Sequence, residues 1–366
     1  MTLVSIIGDF HSSVLPIFYH YRKDIKKHII IYDDFKCDIK EVKRLISGIK
    51  KFSKDQNLDI KTLTHIIDED SYKAIEDTIK FIDTNVKRKD KLLLNCTDGL
   101  ANVNILLSQH FLPLDSQILS YDRFDNHCNI ITKNSMETKR LTKSIPIKDH
   151  FKLKGIQIDA VESKLFAKKY QKEIITIFEK YKDEFKQFAD YVQQTKTPSM
   201  ESKKYKNVIK LISSISIKEP KKDQKLITGG LFEYYIYLKI KDLNFDDIQL
   251  GVEVKQYIDS DNFIPNEFDI LIMKENHLHM IECKYTNRIK LDQLVYKYMA
   301  LKNIIDDDGK IVMVTSHSQF NPNFNTENPT EFLPHKRAME NKMLLLGDPL
   351  KDIDKFVDTI KGFLEV

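Results

Sequence analysis

The chain has 366 residues, 31% charged and 42% hydrophobic, and its 58 Lys and Arg against 54 Asp and Glu leave a net charge of +4. This is an ordinary soluble composition, long enough for two domains with separate cores, and its small basic excess permits a polyanionic partner without demanding one. No apolar run approaches a membrane span and Met1 to Gly8 is strand-like, not a signal peptide, so a cytoplasmic protein with no membrane partner is expected.

Strands and helices alternate through the first half. The apolar run Leu3 to Ile7 ends in Gly8-Asp9 and is followed by an amphipathic stretch, Val14 to Tyr21. His28 to Tyr32 predicts a strand, Ile39 to Phe52 a helix, Leu58 to Leu63 a strand, and Ser71 to Val86 a helix with Tyr72, Ile75, Ile79 and Ile82 at helical spacing. Then come Lys91 to Cys96 as a strand, Leu100 to His110 as a helix, Gln117 to Tyr121 as a strand and a closing hairpin from Cys128 to Thr132. Such alternation predicts an α/β, doubly wound, mostly parallel sheet of Rossmann type, whose ligand sits at the carboxyl ends of the strands where their order reverses. Two loops qualify, Gly8-Asp9-Phe10-His11-Ser12-Ser13 and Thr97-Asp98-Gly99, because both lead into helices whose free amides can receive phosphate. Neither has the Gly-x-Gly-x-x-Gly form, which disfavours a nicotinamide cofactor, and both also suit plain strand-to-helix turns with Ser or Asp caps.

From Ile147 to Lys154 the chain turns basic and leaves the first domain. Leu165, Phe166, Tyr170, Ile174, Phe178, Tyr181, Phe185, Phe188 and Val192 recur at helical intervals, which predicts a linker helix or a coiled dimer contact. Thr195 to Ser202 is a polar break, Lys204 to Ser214 a helix, and Lys218 to Asp223 a charged loop. Gly229-Gly230-Leu231-Phe232-Glu233 is expected to open a helix reaching about Asp242, and Ile248 to Ile258 to be a strand with a bulge. Phe268 to Met273 and His277 to Cys283, broken by Lys274-Glu275-Asn276, read as a β-hairpin. A helix from Ile289 to Asn303, a strand from Lys310 to Thr315, a loop from Asn321 to Pro334, a short strand at Met343 to Leu346 and a helix from Leu350 to Leu364 follow. The four cysteines, Cys37, Cys96, Cys128 and Cys283, show neither a Cys-x-x-Cys pairing nor zinc-like His spacing and read as reduced thiols.

Side chains alternate along a strand, so Glu282 and Lys284 share a face while Cys283 points away. A face carrying Asp269, Glu282 and Lys284 suits hard-cation chemistry on a phosphate ester. These residues resemble the core of the PD-(D/E)XK nuclease superfamily, which reads Asp, a hairpin, then Glu-x-Lys. The superfamily carries a metal-binding Glu on its first helix, which implicates Glu233. The helix beginning Asp292-Gln293-Leu294-Val295-Tyr296 is likened, through Gln293 and Tyr296, to the Gln-x-x-x-Tyr helix of the RecB-like branch. The resemblance implies Mg²⁺ or Mn²⁺ held by Glu233, Asp269 and Glu282, with Cys283 lending its carbonyl and Lys284, Gln293 and Tyr296 completing the catalytic set.

A second resemblance lies in the first half. Leu92-Leu93-Leu94-Asn95-Cys96-Thr97-Asp98-Gly99 is similar to the Asn-x-Thr-Gly-Gly segment of the CARF domain, the CRISPR-associated Rossmann fold that senses cyclic oligoadenylate. Asp98 stands where a Gly is usual, and Leu100-Ala101-Asn102 replaces a Thr-Lys segment. The likeness implies a ligand pocket at Gly8, Asp9, His11, Ser12, Ser13, Thr97, Asp98, Gly99 and Asn102. A sensor joined to a nuclease core resembles the Card1/Can2 ancillary nucleases of type III CRISPR systems. That implies a sensor over residues 1–150, a helical linker over 151–217 and a restriction-endonuclease-like nuclease domain over 218–366. It further implies a homodimer, cyclic tetra-adenylate as allosteric activator, and single-stranded DNA, RNA or supercoiled DNA as substrate. A restriction- or repair-type nuclease without nucleotide gating, and a catalytically inert sensor, remain the alternatives.

Overall fold

Strand β1 (Thr2–Ile7) is buried at all six positions, as a strand covered by helices on both faces must be. In the computed structural model, which describes residues 1–8, 14–33, 37–67, 71–87, 90–257, 262–285, 291–305, 308–316 and 336–365, alternate β1 residues serve two layers. Leu3 and Ile7 pack with Phe18 and Phe52 from α1 (Val14–Tyr21) and α2 (Ile39–Asp55), and Val4 and Ile6 pack with Ile75, Ile82, Val103 and Leu107 from α3 (Tyr72–Asn85) and α4 (Ala101–Phe111).

The described residues pack as two units, Met1–Ile158 with Lys255–Ile264, and Asp159–Val254 with Pro265–Val366. The first holds a seven-stranded sheet of order β3-β2-β1-β4-β5-β6-β7. β2 (Lys27–Asp33), β3 (Lys61–Ile67), β4 (Leu92–Asn95) and β5 (Gln117–Asp122) run parallel with β1, and β6 (His127–Ile131) and β7 (Met136–Arg140) close the sheet antiparallel. The order reverses between β1 and β4, so the two expected ligand loops leave neighbouring strands. β3 begins three residues later than expected. The chain leaves α2 through Asn57 at φ 53°, and the Leu58 N–H caps the Ser53 carbonyl at 2.8 Å, which commits this stretch to the helix exit. β7 carried no periodic signal because all five residues are exposed. α5 (Ile147–Leu153) still belongs to the first unit, where Leu153 joins the α1–α2 layer.

The second unit has a six-stranded sheet of order β13-β12-β11-β10-β9-β8. The periodic run from Leu165 to Val192 is neither a spacer nor a coiled contact. It breaks into α6 (Lys164–Lys169), α7 (Gln171–Lys180) and α8 (Lys182–Gln194), whose Ile174, Phe178, Phe185, Phe188 and Val192 are fully buried in this unit's core. α9 (Lys206–Ser214), α10 (Leu231–Ile240) and α12 (Ile353–Leu364) share that core with Ile270, Ile272, Ile281, Cys283, Val312 and Val314. The sheet comprises β8 (Gln157–Val161), β9 (Asp247–Tyr257), β10 (Phe263–Lys274), β11 (His277–Lys284), β12 (Ile311–Thr315) and β13 (Met343–Gly347), with α11 (Leu291–Ile305) between β11 and β12. The expected hairpin is β10–β11, turned by Glu275 at φ 52° and Asn276 at φ 66° as a two-residue type I′ loop, whose twist matches the flanking strands. The stretch Asn321 to Pro334 lies outside the described residues.

Candidate active site

Ile270 pairs with Ile281 across the hairpin, so one step along the ladder Asp269 stands opposite Glu282. Both carboxylates are almost completely buried, and a buried acid must be paired or protonated. Lys284, on the Glu282 face of β11, supplies the pairing: its ammonium makes an ion pair with Glu282 Oε1 and lies 3.9 Å from Asp269 Oδ2. The Cys283 N–H donates to Asp269 Oδ2 at 2.7 Å. Glu282 Oε2 is buried without a hydrogen-bond partner.

Glu233 comes from α10, a helix in which Leu231, Phe232, Tyr234 to Leu238 and Ile240 are all buried. An acid in a helix that is apolar on every side has been placed there against its solvation preference. The helix does not open at Gly229. It is already helical at residues 224–225, widens into a π turn over Leu226–Gly230 and continues as α10. A Cβ on Gly229 would stand in ordinary contact, 3.5 Å from Glu233 Oε1, so this π turn borders that carboxylate. Burial, and next the charge of Asp269, pushes Glu233 up to about 8. Burial and then Glu282 push Asp269 up to about 7, against the Lys284 ammonium and the Cys283 N–H. Burial would lower Lys284, but Glu282 and Asp269 outweigh it and hold the ammonium above its usual range. Cys283 is an inert buried thiol, raised well above its ordinary value by burial and the surrounding acids.

Among the described residues no three His, Cys, Asp or Glu side chains stand close enough to ring one ion as they are. The donor set nevertheless fits a hard cation. Two carboxylates face each other, Glu282 keeps an unsatisfied oxygen, Glu233 is near enough to Asp269 for that charge to raise Glu233's own cost of ionisation, and a Lys ammonium bridges the pair as a surrogate positive charge.

At the switch point of the first unit the loops after β1 and β4 are tied together. The Gly8 N–H donates to Asp98 Oδ2 at 2.9 Å. A Cβ on Gly8 would stand 2.7 Å from the Gly99 nitrogen, so the two loops touch backbone to backbone. Gly99 needs its glycine, with φ 92° and Ile6 Cγ2 only 2.4 Å from any Cβ. Buried Asn95 shapes the turn by accepting from the Thr97 N–H at 3.2 Å and from the Thr97 hydroxyl, which itself accepts from the Tyr121 N–H at 2.9 Å. Asn102 is exposed in the first turn of α4. Asp9, His11, Ser12 and Ser13 lie outside the described residues.

Residues 220–353 match the family model of the Card1-like endonuclease domain. The chain carries a Card1-like endonuclease domain. No curated protein matches the sequence. Among solved structures the chain is similar to protein VC1899 from Vibrio cholerae, with 16% identity over 99% of this chain and 98% of that one and a TM-score of 0.76. It is also similar to Can2 from Sulfobacillus thermosulfidooxidans, solved with cyclic tetra-adenylate, at 16% identity, 96% coverage of each chain and a TM-score of 0.69. A type III CRISPR defence DNA nuclease activated by cyclic oligoadenylate matches 87% of this chain over 45% of its own length, at 10% identity and a TM-score of 0.51. At such identities these likenesses are of fold, and the fold is the two-domain α/β architecture of Can2.

Within the Card1-like domain the structure gathers Glu233, Asp269, Glu282 and Lys284, with Cys283 between the last two. It does not bring Gln293 and Tyr296 to them. Gln293 is exposed, and Tyr296 is 53% exposed, hydrogen-bonded to Arg337 and covered by that guanidinium 5.2 Å from its ring centroid. These two residues are also one position closer together than the four-residue step of the Gln-x-x-x-Tyr pattern. The α11 residue that approaches the acids is Tyr298, fully buried, whose hydroxyl is held above its usual range by burial and by the charge of Glu282. Its sequence signal was its place on the apolar stripe with Val295, Leu301 and Ile305.

Proposed function

We propose that the chain is a cyclic oligoadenylate-activated, metal-dependent nuclease of type III CRISPR defence that cleaves phosphodiester bonds of DNA or RNA. The observation that carries this is the buried Asp269–Glu282–Lys284 cluster with Glu233 beside it, in a domain that matches the Card1-like endonuclease model. Mg²⁺ or Mn²⁺ bound there would acidify a water and offset charge on the scissile phosphate. Asp269, Glu282 and Glu233 would hold the ion, with the Cys283 carbonyl as a further donor. Lys284 would direct its ammonium to the phosphate oxygens and to the attacking water. Tyr298, buried on α11, shields Glu282 from water. Exposed Gln293 and Tyr296 touch the nucleic-acid backbone.

In the first unit the activator lies over Gly8, Asp9, His11, Ser12, Ser13, Thr97, Asp98, Gly99 and Asn102. Cyclic tetra-adenylate, the ligand in the Can2 structure, is two-fold symmetric, and a homodimer offers each half of the ring the same residues. The test is to incubate pure protein with Mn²⁺ and labelled single-stranded DNA, RNA and supercoiled plasmid, with and without cyclic tetra-adenylate. Cleavage only with the activator supports the proposal; cleavage without it means an ungated nuclease, and none at all an inert sensor.

A further inference from the structure

Surface lysines are ordinarily interspersed with acids, because like charges side by side repel. Helix α2 departs from this along one side. Lys40, Lys43, Lys50, Lys51 and Lys54 are all exposed, as is Ser47 in their midst. At 3.6 residues per turn these positions fall within roughly 100° of the helix circumference, in a stripe about 21 Å long that contains no acid. The acids of α2 lie off the stripe and are already neutralised, Glu41 by Arg44 at 3.1 Å and Asp55 by Lys152 of α5. Asp38, just before the helix, caps the N–H groups of Lys40 and Glu41. Among the described residues none of the stripe ammoniums has an ion-pair partner. The opposite face is locked in place. Val42, Leu45, Ile46, Ile49 and Phe52 are buried in the first unit's core, and a Cβ on Gly48 would stand 2.3 Å from the Leu153 carbonyl oxygen, so α2 meets the end of α5 backbone to backbone. With its apolar face in the core, the helix has nothing to insert into a lipid layer, and the stripe presents charge alone on a rigid support.

We infer that the lysine stripe of α2 is a nucleic-acid docking surface on the first unit, which holds a phosphodiester backbone without reading its sequence. The choice of nucleic acid among polyanions rests on the nuclease reading above. A duplex carries one negative charge per about 1.7 Å of axis, so a stripe of this length faces on the order of a dozen phosphate charges and releases their counterions on contact. Lysines supply point charges, which suit phosphate contact and not the bidentate reading of base edges that arginine performs. Such a surface raises the local concentration of substrate and its rate of capture, and leaves the chemical step to the acids of the second unit.

Binding of labelled single-stranded DNA, RNA and duplex DNA to the full chain is followed by fluorescence anisotropy across a salt series, with EDTA and without cyclic nucleotide so that nothing is cleaved. Lys43→Gln, Lys50→Gln and Lys54→Gln together should weaken single-strand binding about tenfold and lower the slope of log affinity against log salt by about 2. Ser47→Lys, which fills the uncharged place in the stripe, should tighten binding about threefold. Lys351→Gln, Lys355→Gln and Lys361→Gln together remove the same net charge beside Asp352, Asp354 and Asp358 at α12, and should bind as the parent does. All of these proteins should melt as the parent does. Parent-like affinity in the α2 triple variant, no gain from Ser47→Lys, or an equal loss in the α12 variant overturns the inference. So does a parent chain that binds phosphatidylserine vesicles but no nucleic acid. A chain that binds nucleic acid through α2 yet never cleaves it with Mn²⁺ and cyclic tetra-adenylate sinks the nuclease reading and not this one.

Discussion

Lys284 stands between two buried carboxylates, and removing it strands them. Lys284→Ala should cost about 3 kcal/mol in the metal-free protein, the scale of breaking a buried ion pair, and millimolar Mn²⁺ should recover much of the lost melting temperature by replacing the missing charge. Cleavage should stay abolished with Mn²⁺ present, since the cation cannot also do the work of the ammonium at the phosphate. A metal-loaded variant that cuts at the parent rate would remove Lys284 from the mechanism. The raised carboxyls make a second statement. Glu233 moves from an ordinary 4.5 to about 8 and Asp269 from 3.8 to about 7, so the folded metal-free chain holds protons that the unfolded chain releases. Their stabilisation is complete below about pH 4 and is lost as pH rises through 7 and 8. Melts without metal should therefore fall between pH 5 and pH 8.5, and Glu233→Gln should flatten the fall. Cleavage with Mn²⁺ should rise over the same interval, because only the ionised acids bind the cation.

At the scale of elements, turns and loop ties decide where these residues stand. The β10–β11 hairpin turns through Glu275 and Asn276, both at positive φ; Asn tolerates that region and Glu does not. Glu275→Asn should raise stability by about 0.5 kcal/mol and leave Mn²⁺ binding unchanged, measurable by denaturant melts. At the switch point, Asp98 spends its carboxylate on the Gly8 N–H. Asp98→Ala should cost about 1 kcal/mol and weaken cyclic tetra-adenylate binding, because the loops after β1 and β4 are no longer tied. Unchanged affinity in a calorimetric titration would place the ligand elsewhere.

For the molecule as a whole, the unit boundaries fall inside strands: Ile158 to Asp159 in β8, Val254 to Lys255 in β9 and Ile264 to Pro265 in β10. β10 carries Asp269 a few residues past its boundary, so the chain itself runs from the first unit to the acid centre. A Gly-Gly insertion between Ile264 and Pro265 should leave activator affinity intact and abolish activator-dependent cleavage. The sequence by itself determined the alternation of strands and helices, the Asp269 hairpin and the Glu282-Cys283-Lys284 face, because hydrophobic period and turn chemistry are local. The resemblance to the nuclease superfamily also singled out Glu233 on its first helix. Only the tertiary structure decided that Lys284 neutralises both acids, that Asp98 occupies the Gly8 amide, that Tyr298 and not Tyr296 is the α11 tyrosine buried near Glu282, and that Glu162 packs where Gly251 has no side chain. Those contacts join segments from Gly8 to Asp98, from Glu162 to Gly251 and from Glu282 to Tyr298, and no periodicity within one element encodes which distant side chain will fill a space left by another.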